Sequence, residues 1–231
     1  MRGEKTVLYK NDQSPPARSV KMLMSLLGLN FIEQRDINPL FREQDTPEMR
    51  KKNPMRTIPF IDDGDFSLGD SHAICLYLLE KYGKPEHEYL YPKDIKKRAT
   101  VNQRLFFDCG VVFQRLRAVM APTYMGQMTE MPKEVIGGIR NAYGTLEAYL
   151  SESVYLADDV MTIADICTIS TVSSLDGLHP VDGKRYPKLR QWLTNMYAKD
   201  FVKEENQQGC EDHVTYLFAA MELNKQQKSK L

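Results

Sequence analysis

The chain has 231 residues, and its 31 Lys and Arg balance its 31 Asp and Glu, so the formal net charge is zero. This balance argues against a broad nucleic-acid surface and against a basic membrane anchor, since both need an excess of positive charge. No segment reaches the roughly 18 apolar residues that cross a bilayer, and residues 1–5 have no apolar run behind their charges, so we expect no membrane span and no signal peptide.

The first third of the chain alternates short apolar runs with helical patterns. Gly28 and Gly83 stand where a helix would end, and Asp62-Asp63-Gly64-Asp65 separates two apolar runs as a hairpin turn does. The predicted order is strand, helix, strand, a short helical or irregular piece, two strands and a helix, which is an α/β layered arrangement. The strands are predicted at residues 6–9, 31–37, 58–61 and 66–68, and the helices at 17–27 and 71–82.

The rest of the chain has helical patterns. One long helix is predicted from Lys96 to about Met125, although Pro122 must end or kink it. Further helices are predicted at residues 132–150, after the capping-box sequence Thr162-Ile163-Ala164-Asp165, and from Pro187 onward.

These patterns divide the chain into residues 1–83, a linker at 84–92 that is rich in Gly, Pro and charge, and an all-helical domain at 93–231. The last residues, 224–231, are nearly all polar, and we expect them to form a frayed tail.

The four cysteines are scattered along the chain. None belongs to a C-x-x-C pair, and no histidine accompanies them at zinc-ligand spacing. Scattered cysteines in a chain of this length are typical of reduced thiols in the core of a cytoplasmic protein. We therefore predict a cytoplasmic location, no metal site, and core packing for Cys75, Cys109, Cys167 and Cys210.

Three segments stand in a recognisable order: Ser14-Pro15-Pro16-Ala17-Arg18-Ser19, then Asn53-Pro54-Met55-Arg56-Thr57-Ile58-Pro59, then Asp70-Ser71-His72-Ala73-Ile74. In this order they resemble the cytosolic glutathione transferases, most of all the insect delta and epsilon classes, and the histidine after the serine favours epsilon. The similarity continues through Phe106-Phe107-Asp108 and the capping-box sequence to Tyr186-Pro187-Lys188-Leu189, so it covers essentially the whole chain.

The resemblance implies a thioredoxin-like glutathione-binding domain with the order β-α-β-(α)-β-β-α, followed by an all-helical bundle domain that shapes a pocket for an apolar second substrate. It also implies a cytoplasmic homodimer that uses glutathione as co-substrate, without a metal, in the detoxification of xenobiotics.

Ser14 lies between the first predicted strand and the first helix, where a serine is often an ordinary turn residue or helix cap. Glutathione conjugation needs a thiolate, whereas a free thiol with a pKa near 8.5 is ionised to only a few per cent at neutral pH. A hydroxyl at a helix N-terminus can donate to the sulfur, and the helix dipole adds positive potential there. The resemblance implies that Ser14 is the catalytic residue that stabilises the thiolate.

The second and third segments supply most of the expected glutathione site. Pro59 alone indicates an edge or the start of a strand, and the resemblance implies a cis bond that presents the Ile58 backbone to glutathione as a short strand. Asp70 and Ser71 are good helix caps, and they also resemble the pair that holds the γ-glutamyl ammonium and carboxylate. The same implied site includes Pro16, Thr57, His72 and Arg117, although His72 alone is read as a helix-start residue near an interface.

Two positions depart from the family pattern. Family members commonly have histidine where this chain has Gln44 and Arg56, at the positions that hold the glycyl carboxylate. Arg56 is always charged and can bind a carboxylate bidentately, and the alternative is a solvated surface charge. Gln44 can still form a hydrogen bond.

A stripe at helical spacing on the predicted long helix is the expected pocket wall. Such a stripe is usually a core-facing surface, but Arg117 within it would then be a buried charge in need of a partner. The resemblance implies that the remaining members line the apolar substrate pocket. Phe218 or Tyr216, near the C-terminus, is a candidate residue to close it. The predicted pocket residues are Phe113, Leu116, Met120, Tyr124 and Phe218.

Three functions are compatible with these residues. The first is an enzyme that joins glutathione to apolar electrophiles, with dehydrochlorination, peroxide reduction or isomerisation as family variants. The second is a ligand-binding relative that kept the fold and lost turnover, because folds outlast functions. The third is a specialist for an endogenous hormone-like lipid. The presence of Ser14, Pro59, Asp70 and Ser71 favours the enzyme.

Overall fold

The computed structural model describes residues 6–230, so the expectation of no signal peptide at residues 1–5 lies outside it. The N-terminal domain has a four-stranded sheet in the order β2-β1-β3-β4, in which β1 and β2 are parallel and the other neighbours are antiparallel. Three helices pack with this sheet, and the predicted thioredoxin-like arrangement is confirmed. The elements are β1 (Thr6–Lys10), α1 (Pro15–Leu27), β2 (Glu33–Asp36), α2 (Pro47–Lys52), β3 (Phe60–Asp63), β4 (Phe66–Gly69) and α3 (Ser71–Tyr82).

Two strands differ from their predicted positions. The strand expected around Phe31 begins later and consists of the polar residues of β2, because this edge strand is defined by its pairing with β1 and not by an apolar face. Phe31 itself lies outside the sheet with 60% of its surface exposed. β3 begins at Phe60, immediately after a cis bond between Ile58 and Pro59. The cis bond is as the family resemblance implied.

The second domain is all-helical, as predicted. Residues 84–92 form more than an irregular linker, since Pro85–Leu90 is a 3₁₀ helix and Leu90 is fully buried. Among residues 6–230, no helix is long and apolar enough to cross a membrane. The helices are α4 (Ile95–Phe107), α5 (Phe113–Tyr124), α6 (Lys133–Glu152), α7 (Ile163–Leu178), α8 (Pro187–Tyr197), the short α9 (Asp200–Val202) and α10 (Gln208–Lys228).

α7 runs through the centre of this domain and is buried along nearly its whole length. Asp165 in its first turn reaches back to the Thr162 amide, 2.8 Å away, as the capping-box sequence predicted. The same carboxylate accepts hydrogen bonds from the Leu156 amide and the Trp192 indole, each at 2.9 Å. These bonds tie α7 to α8 and to the loop before α7, so the helix that faces the N-terminal domain is held in place.

The predicted single helix over residues 96–125 is interrupted. A π-helical turn, Asp108–Val112, separates α4 from α5, and Pro122 is accommodated inside α5 near its end. A π turn inserts one extra residue into the helical repeat and so rotates the side chains that follow it. This rotation decides which residues of α5 face the N-terminal domain.

Residues 224–230 do not form a frayed tail, contrary to the prediction for 224–231, whose last residue lies outside the described part of the chain. α10 continues to Lys228, and Asn224 is buried. Its side-chain amide donates to the carbonyl of Thr123 at 3.0 Å and to that of Met128 at 2.9 Å. Those carbonyls lie at and just beyond the end of α5, where carbonyls lack partners within the helix, so a polar residue is what fixes α10 against α5.

Candidate active site

A cleft of about 360 Å³ lies between the two domains. The N-terminal domain contributes the start of α1, the segment before β3 and the start of α3, while the helical domain contributes the π turn, α5 and one face of α7. Its lining residues are Pro16, Ser19, Met55, Thr57, Ile58, Pro59, Asp70, Ser71, His72, Asp108, Cys109, Phe113, Gln114, Arg117, Met120, Ala121, Tyr124, Cys167, Ser170 and Thr171.

Most residues that the sequence singled out meet in this cleft. The predicted glutathione-site residues Pro16, Thr57, Ile58, Pro59, Asp70, Ser71, His72 and Arg117 line it, together with Phe113, Met120 and Tyr124 from the predicted pocket wall. The predicted residues outside its lining are Ser14, Gln44, Arg56, Leu116 and Phe218.

Ser14 is the residue immediately before α1, two positions ahead of the cleft residue Pro16. Its carbonyl accepts the first bond of the helix from the Arg18 amide at 3.0 Å, and its amide donates to the Asn11 carbonyl at 3.0 Å. Its hydroxyl forms no capping bond to α1. The hydroxyl is therefore not used as an ordinary helix cap, and it stands at the positive end of a 13-residue helix.

The middle of the cleft carries an unpaired stretch of backbone. Ile58 lies before β3 begins, and its backbone forms no hydrogen bond with another described residue. Asn53 fixes the approach to this position, since its side-chain amide donates to the Thr57 carbonyl at 2.8 Å. An extended ligand can therefore pair with Ile58 as a further strand pairs with a sheet edge.

One end of the cleft is polar and lies where α3 begins. Asp70 adopts φ 71°, a left-handed conformation that costs energy in a non-glycine residue. Its Oδ1 accepts from the amides of His72 at 3.0 Å and Ala73 at 3.1 Å, so it caps the helix. Ser71 is 5% exposed, and its hydroxyl lies 3.5 Å from Nδ1 of His72. Capping of α3 accounts for one oxygen of the Asp70 carboxylate. The other oxygen and the Ser71 hydroxyl remain for a ligand in the cleft.

A contact between the domains closes this polar end. Nε2 of His72 donates to Oδ2 of Asp108 at 3.0 Å. The other oxygen of Asp108, Oδ1, is buried and has no hydrogen-bond partner among the described residues. A buried acceptor without a donor is costly. Because Asp108 lines the cleft, a cationic ligand group is the natural partner for that oxygen.

Burial works against protonation of His72, but the hydrogen bond and the charge of Asp108 outweigh it and raise the pKa of His72. The charge of Asp70 acts in the same direction. Around neutral pH the polar end thus combines two carboxylates with a histidine that is more readily protonated than usual.

Gln44 and Arg56, the two departures from the family pattern, lie outside the cleft lining. Arg56 directly precedes the cleft residue Thr57, adopts φ 55°, and has a side chain that is 54% exposed. Nη1 of Arg56 is 3.8 Å from Asp45, whose carboxylate also binds Arg50 and Arg42; these bonds lower the pKa of Asp45 to about 2. Oε1 of Gln44 is buried without a partner among the described residues.

The apolar wall is formed by α5, with one correction to its predicted members. Leu116 is fully buried and packs in the core instead of lining the cleft. Successive residues of a helix point about 100° apart, so with Arg117 facing the cleft, Leu116 turns away from it. Arg117 forms no ion pair with another described residue. Its guanidinium is thus free for a ligand, contrary to the concern about a buried charge.

Phe218 is also displaced from its predicted place. It is 45% exposed on α10 and does not line the cleft. Tyr216, two residues earlier and so on the opposite side of the helix, packs its ring against that of Tyr124 with centroids 5.8 Å apart. Burial raises the pKa of Tyr124 to about 12, so its phenol stays neutral at the rim of the cleft.

Several cleft residues were missed by the sequence reasoning. Asp108 belongs to the family segment Phe106-Phe107-Asp108, but its place in the cleft depends on the π turn, which no local pattern indicates. Cys109, expected in the core, instead lines the cleft, and burial together with the charges of Asp70 and Asp108 raises the pKa of its thiol. The other three cysteines are buried. Residues 6–230 contain no group of His, Cys, Asp and Glu arranged to hold a metal ion.

Comparison with known proteins agrees with this geometry. The glutathione S-transferase N-terminal domain family matches residues 8–86, and the C-terminal domain family matches residues 111–200. Glutathione S-transferase 1 of Manduca sexta is 40% identical over 210 residues, which cover 90% of this chain and 96% of the relative.

Solved structures give the same result. An epsilon-class glutathione S-transferase from the housefly Musca domestica is 38% identical, with a TM-score of 0.89 over 94% of this chain and 98% of that one. A glutathione transferase homologue from Drosophila mojavensis, solved with bound glutathione, is 40% identical, with a TM-score of 0.88 over 94% and 97% of the two chains. The chain therefore belongs to the glutathione S-transferase family, among relatives of the insect epsilon and delta classes.

Proposed function

We propose that this transferase conjugates the thiolate of glutathione to apolar electrophiles and that Ser14 stabilises the thiolate. The observation that carries the proposal is the Ser14 hydroxyl, which stands at the N-terminus of α1 without a capping bond, beside a cleft that joins both domains. A hydroxyl donor and a helix dipole both favour the anion over the thiol. Each tenfold gain in thiolate population at a given pH takes about 1.4 kcal/mol of such preference.

The cleft supports one orientation of glutathione. The γ-glutamyl ammonium pairs with Asp70 and the unpartnered Oδ1 of Asp108, and its carboxylate binds the Ser71 hydroxyl at the start of α3. The cysteinyl backbone pairs with Ile58, which places the sulfur toward α1. The glycyl carboxylate lies toward Thr57 and the neighbouring Arg56, with Gln44 as a further donor.

The second substrate binds against the α5 wall. Phe113, Met120 and Tyr124 give an apolar surface that can adapt to different electrophiles. Arg117, with a free guanidinium on the same face, binds polar groups of either glutathione or the electrophile. Holding both substrates in one cleft turns a bimolecular encounter into a positioned reaction. The role proposed for the protein is the detoxification of xenobiotics as a cytoplasmic homodimer, as in the family.

The test is conjugation of glutathione to a chlorinated dinitrobenzene by the wild type and by Ser14→Ala, with calorimetric titration of glutathione. We expect turnover to fall by about tenfold or more in the variant while glutathione binding is largely kept. Ser25→Ala is the matched control, because Ser25 is also on α1 but does not line the cleft. Unchanged turnover in Ser14→Ala would refute the assignment. Binding without turnover in the wild type would favour the ligand-binding relative or a specialist for a hormone-like lipid.

A further inference from the structure

A second polar contact between the domains lies behind the start of α1. Arg18 is fully buried there, and its Nε donates to Oδ1 of Asn206 at 2.8 Å. Its Nη2 donates to the Ser174 hydroxyl at 2.7 Å and to the Ser170 carbonyl at 3.0 Å, both on α7. Among the described residues no carboxylate bonds to the guanidinium, and all four of its hydrogen-bond acceptors are neutral groups. Asp12 acts on Arg18 only through its charge.

The remaining guanidinium nitrogen of Arg18, Nη1, binds the residue before Ser14. Nη1 of Arg18 donates to the Gln13 carbonyl at 2.9 Å. Arg18 is also the residue whose amide bonds to the Ser14 carbonyl, at 3.0 Å. One side chain therefore connects the turn that carries Ser14 with both α7 and the segment that leads into α10.

The helical domain contacts the turn before Ser14 at two further points. Lys21 on α1 bridges Asp12 at 2.8 Å and Glu205 at 2.9 Å. Gly209 approaches the Asp12 backbone so closely that a Cβ at position 209 would lie 2.1 Å from the Asp12 carbonyl oxygen. Three independent contacts thus link the turn before Ser14 to the segment at residues 205–209.

The local structure of that segment explains how Asn206 reaches inward. Residues Lys203–Gln207 form a π-helical turn just before α10. Asn206 is 1% exposed, and it also donates to the Ser173 hydroxyl at 3.1 Å. Both ends of its amide are therefore used, and its orientation is fixed. π turns are uncommon and occur often at functional sites.

Burial of a guanidinium without a bonded carboxylate is costly, and four hydrogen bonds to neutral groups offset that cost for Arg18. Burial lowers the pKa of Arg18 to about 10, so the side chain is still charged at neutral pH. One of the four acceptors of this buried charge is the Gln13 carbonyl, immediately before Ser14, so the arginine holds the turn that carries Ser14.

We propose that Arg18 is a positioning residue for Ser14: anchored by Asn206, it fixes the Gln13 carbonyl, and through it the helical domain sets the orientation of the hydroxyl that stabilises the thiolate. This inference rests on the proposed role of Ser14. It predicts that loss of the Asn206 acceptor weakens ionisation of glutathione although Asn206 touches neither substrate.

The experiment compares Asn206→Ala, Asn206→Asp and Ser14→Ala by the pH profile of kcat/KM with chlorinated dinitrobenzene and by thermal unfolding. We expect Asn206→Ala to shift the profile to higher pH by about one unit, a loss of about tenfold at pH values below the wild-type pKa. Asn206→Asp keeps an acceptor for Arg18 and should restore the wild-type profile. The variants at Asn206 are preferred to Arg18 variants, which are more prone to misfold.

A double-mutant cycle shows whether the effect acts through Ser14. In the Ser14→Ala background, Asn206→Ala should change kcat/KM by less than about twofold. Arg190→Lys is the matched control, because Arg190 also forms long-range bonds in the helical domain, to Asp176 at 2.6 Å, but none to residues 11–14. It should lower thermal stability without moving the pH profile.

Three outcomes would overturn the inference. The first is a lower unfolding temperature in Asn206→Ala with an unmoved pH profile, and the second is an equal loss of kcat/KM with and without the Ser14 hydroxyl. In both, a large effect of Ser14→Ala alone would leave the proposed function standing. The third is a Ser14→Ala variant with wild-type turnover, which removes the proposed role of Ser14 and this inference together.

Discussion

Two polar contacts between the domains differ in how completely their groups are satisfied. In the cleft contact, formed by His72 and Asp108, one carboxylate oxygen is buried without a donor, and the site is open to a ligand. In the buried contact, formed by Arg18, Asn206 and Ser174, the guanidinium donates to four acceptors within the protein. A contact whose polar groups are all hydrogen-bonded fixes the relative position of the domains. A contact with an unpaired buried acceptor instead favours binding of a substrate that supplies the missing donor.

Each contact has a histidine beside it, and the two histidines have opposite electrostatic surroundings. His72 faces the carboxylate of Asp108, which raises its pKa. His213 lies near Ser174 and Arg18; burial, with the positive charge of Arg18, lowers its pKa to about 3. The two contacts should therefore respond to pH in opposite directions.

The largest expected effect is that of Arg18→Leu on stability. The substitution leaves four acceptors without their donor, so we expect the free energy of unfolding to fall by about 3–5 kcal/mol. Urea denaturation followed by circular dichroism measures this change. Asp108→Asn in the cleft contact should cost less than about 1 kcal/mol by the same method, because it keeps the shape and removes a partly unsatisfied charge. Equal losses for the two variants would erase the distinction between the contacts.

The second expected effect is acid destabilisation through His213. Its pKa is about 3 in the folded chain and near 6.5 when exposed, so its contribution to stability is present above pH 6.5 and is lost as the pH falls below that value. The slope is up to about 1.4 kcal/mol per pH unit, the value for uptake of one proton on unfolding. His213→Leu should flatten the dependence of the unfolding free energy on pH between 4 and 6. A slope as steep as in the wild type would show that His213 is not the group responsible.

The third effect concerns binding at the cleft contact. If Oδ1 of Asp108 holds the γ-glutamyl ammonium, Asp108→Asn should raise the KM for glutathione by about tenfold, which corresponds to about 1.4 kcal/mol. Asp159→Asn is a control carboxylate of the helical domain that does not line the cleft. A KM for the chlorinated electrophile that rises as much as that for glutathione would show that Asp108 acts on the whole cleft and not on one end of glutathione.

Parts of this molecule could be read from the sequence because their causes are local. The helix Ser71–Tyr82 has the predicted bounds since Asp70 caps it and Gly83 ends it, both with short-range bonds. The motifs on the glutathione side of the cleft consist of adjacent residues, so the resemblance could locate them. They are the segment Asn53–Pro59 and the pair Asp70 and Ser71.

What could not be read depends on partners far along the chain. The π turn before α5 carries no local signal, and Asp108 enters the cleft from it. The buried Asn224 amide donates to the Thr123 carbonyl, 101 positions away, and to the Met128 carbonyl. Arg18 lies inside the family segment Ser14–Ser19, yet its side chain bonds to Asn206, 188 positions away. Helical periodicity contains none of these pairings.

The smallest expected effect is the response of stability to pH at the cleft contact. The pKa of His72 is raised in the folded chain because the hydrogen bond and charge of Asp108 outweigh burial. Its contribution to stability is therefore complete below the unfolded pKa and is lost as the pH rises through the folded one. We expect the free energy of unfolding to decline above about pH 6.5, with a slope smaller than that for exchange of one full proton. Asp108→Asn should remove this decline. Urea titrations of both proteins across the neutral range measure it, and a decline that survives in Asp108→Asn would place its origin outside the cleft contact.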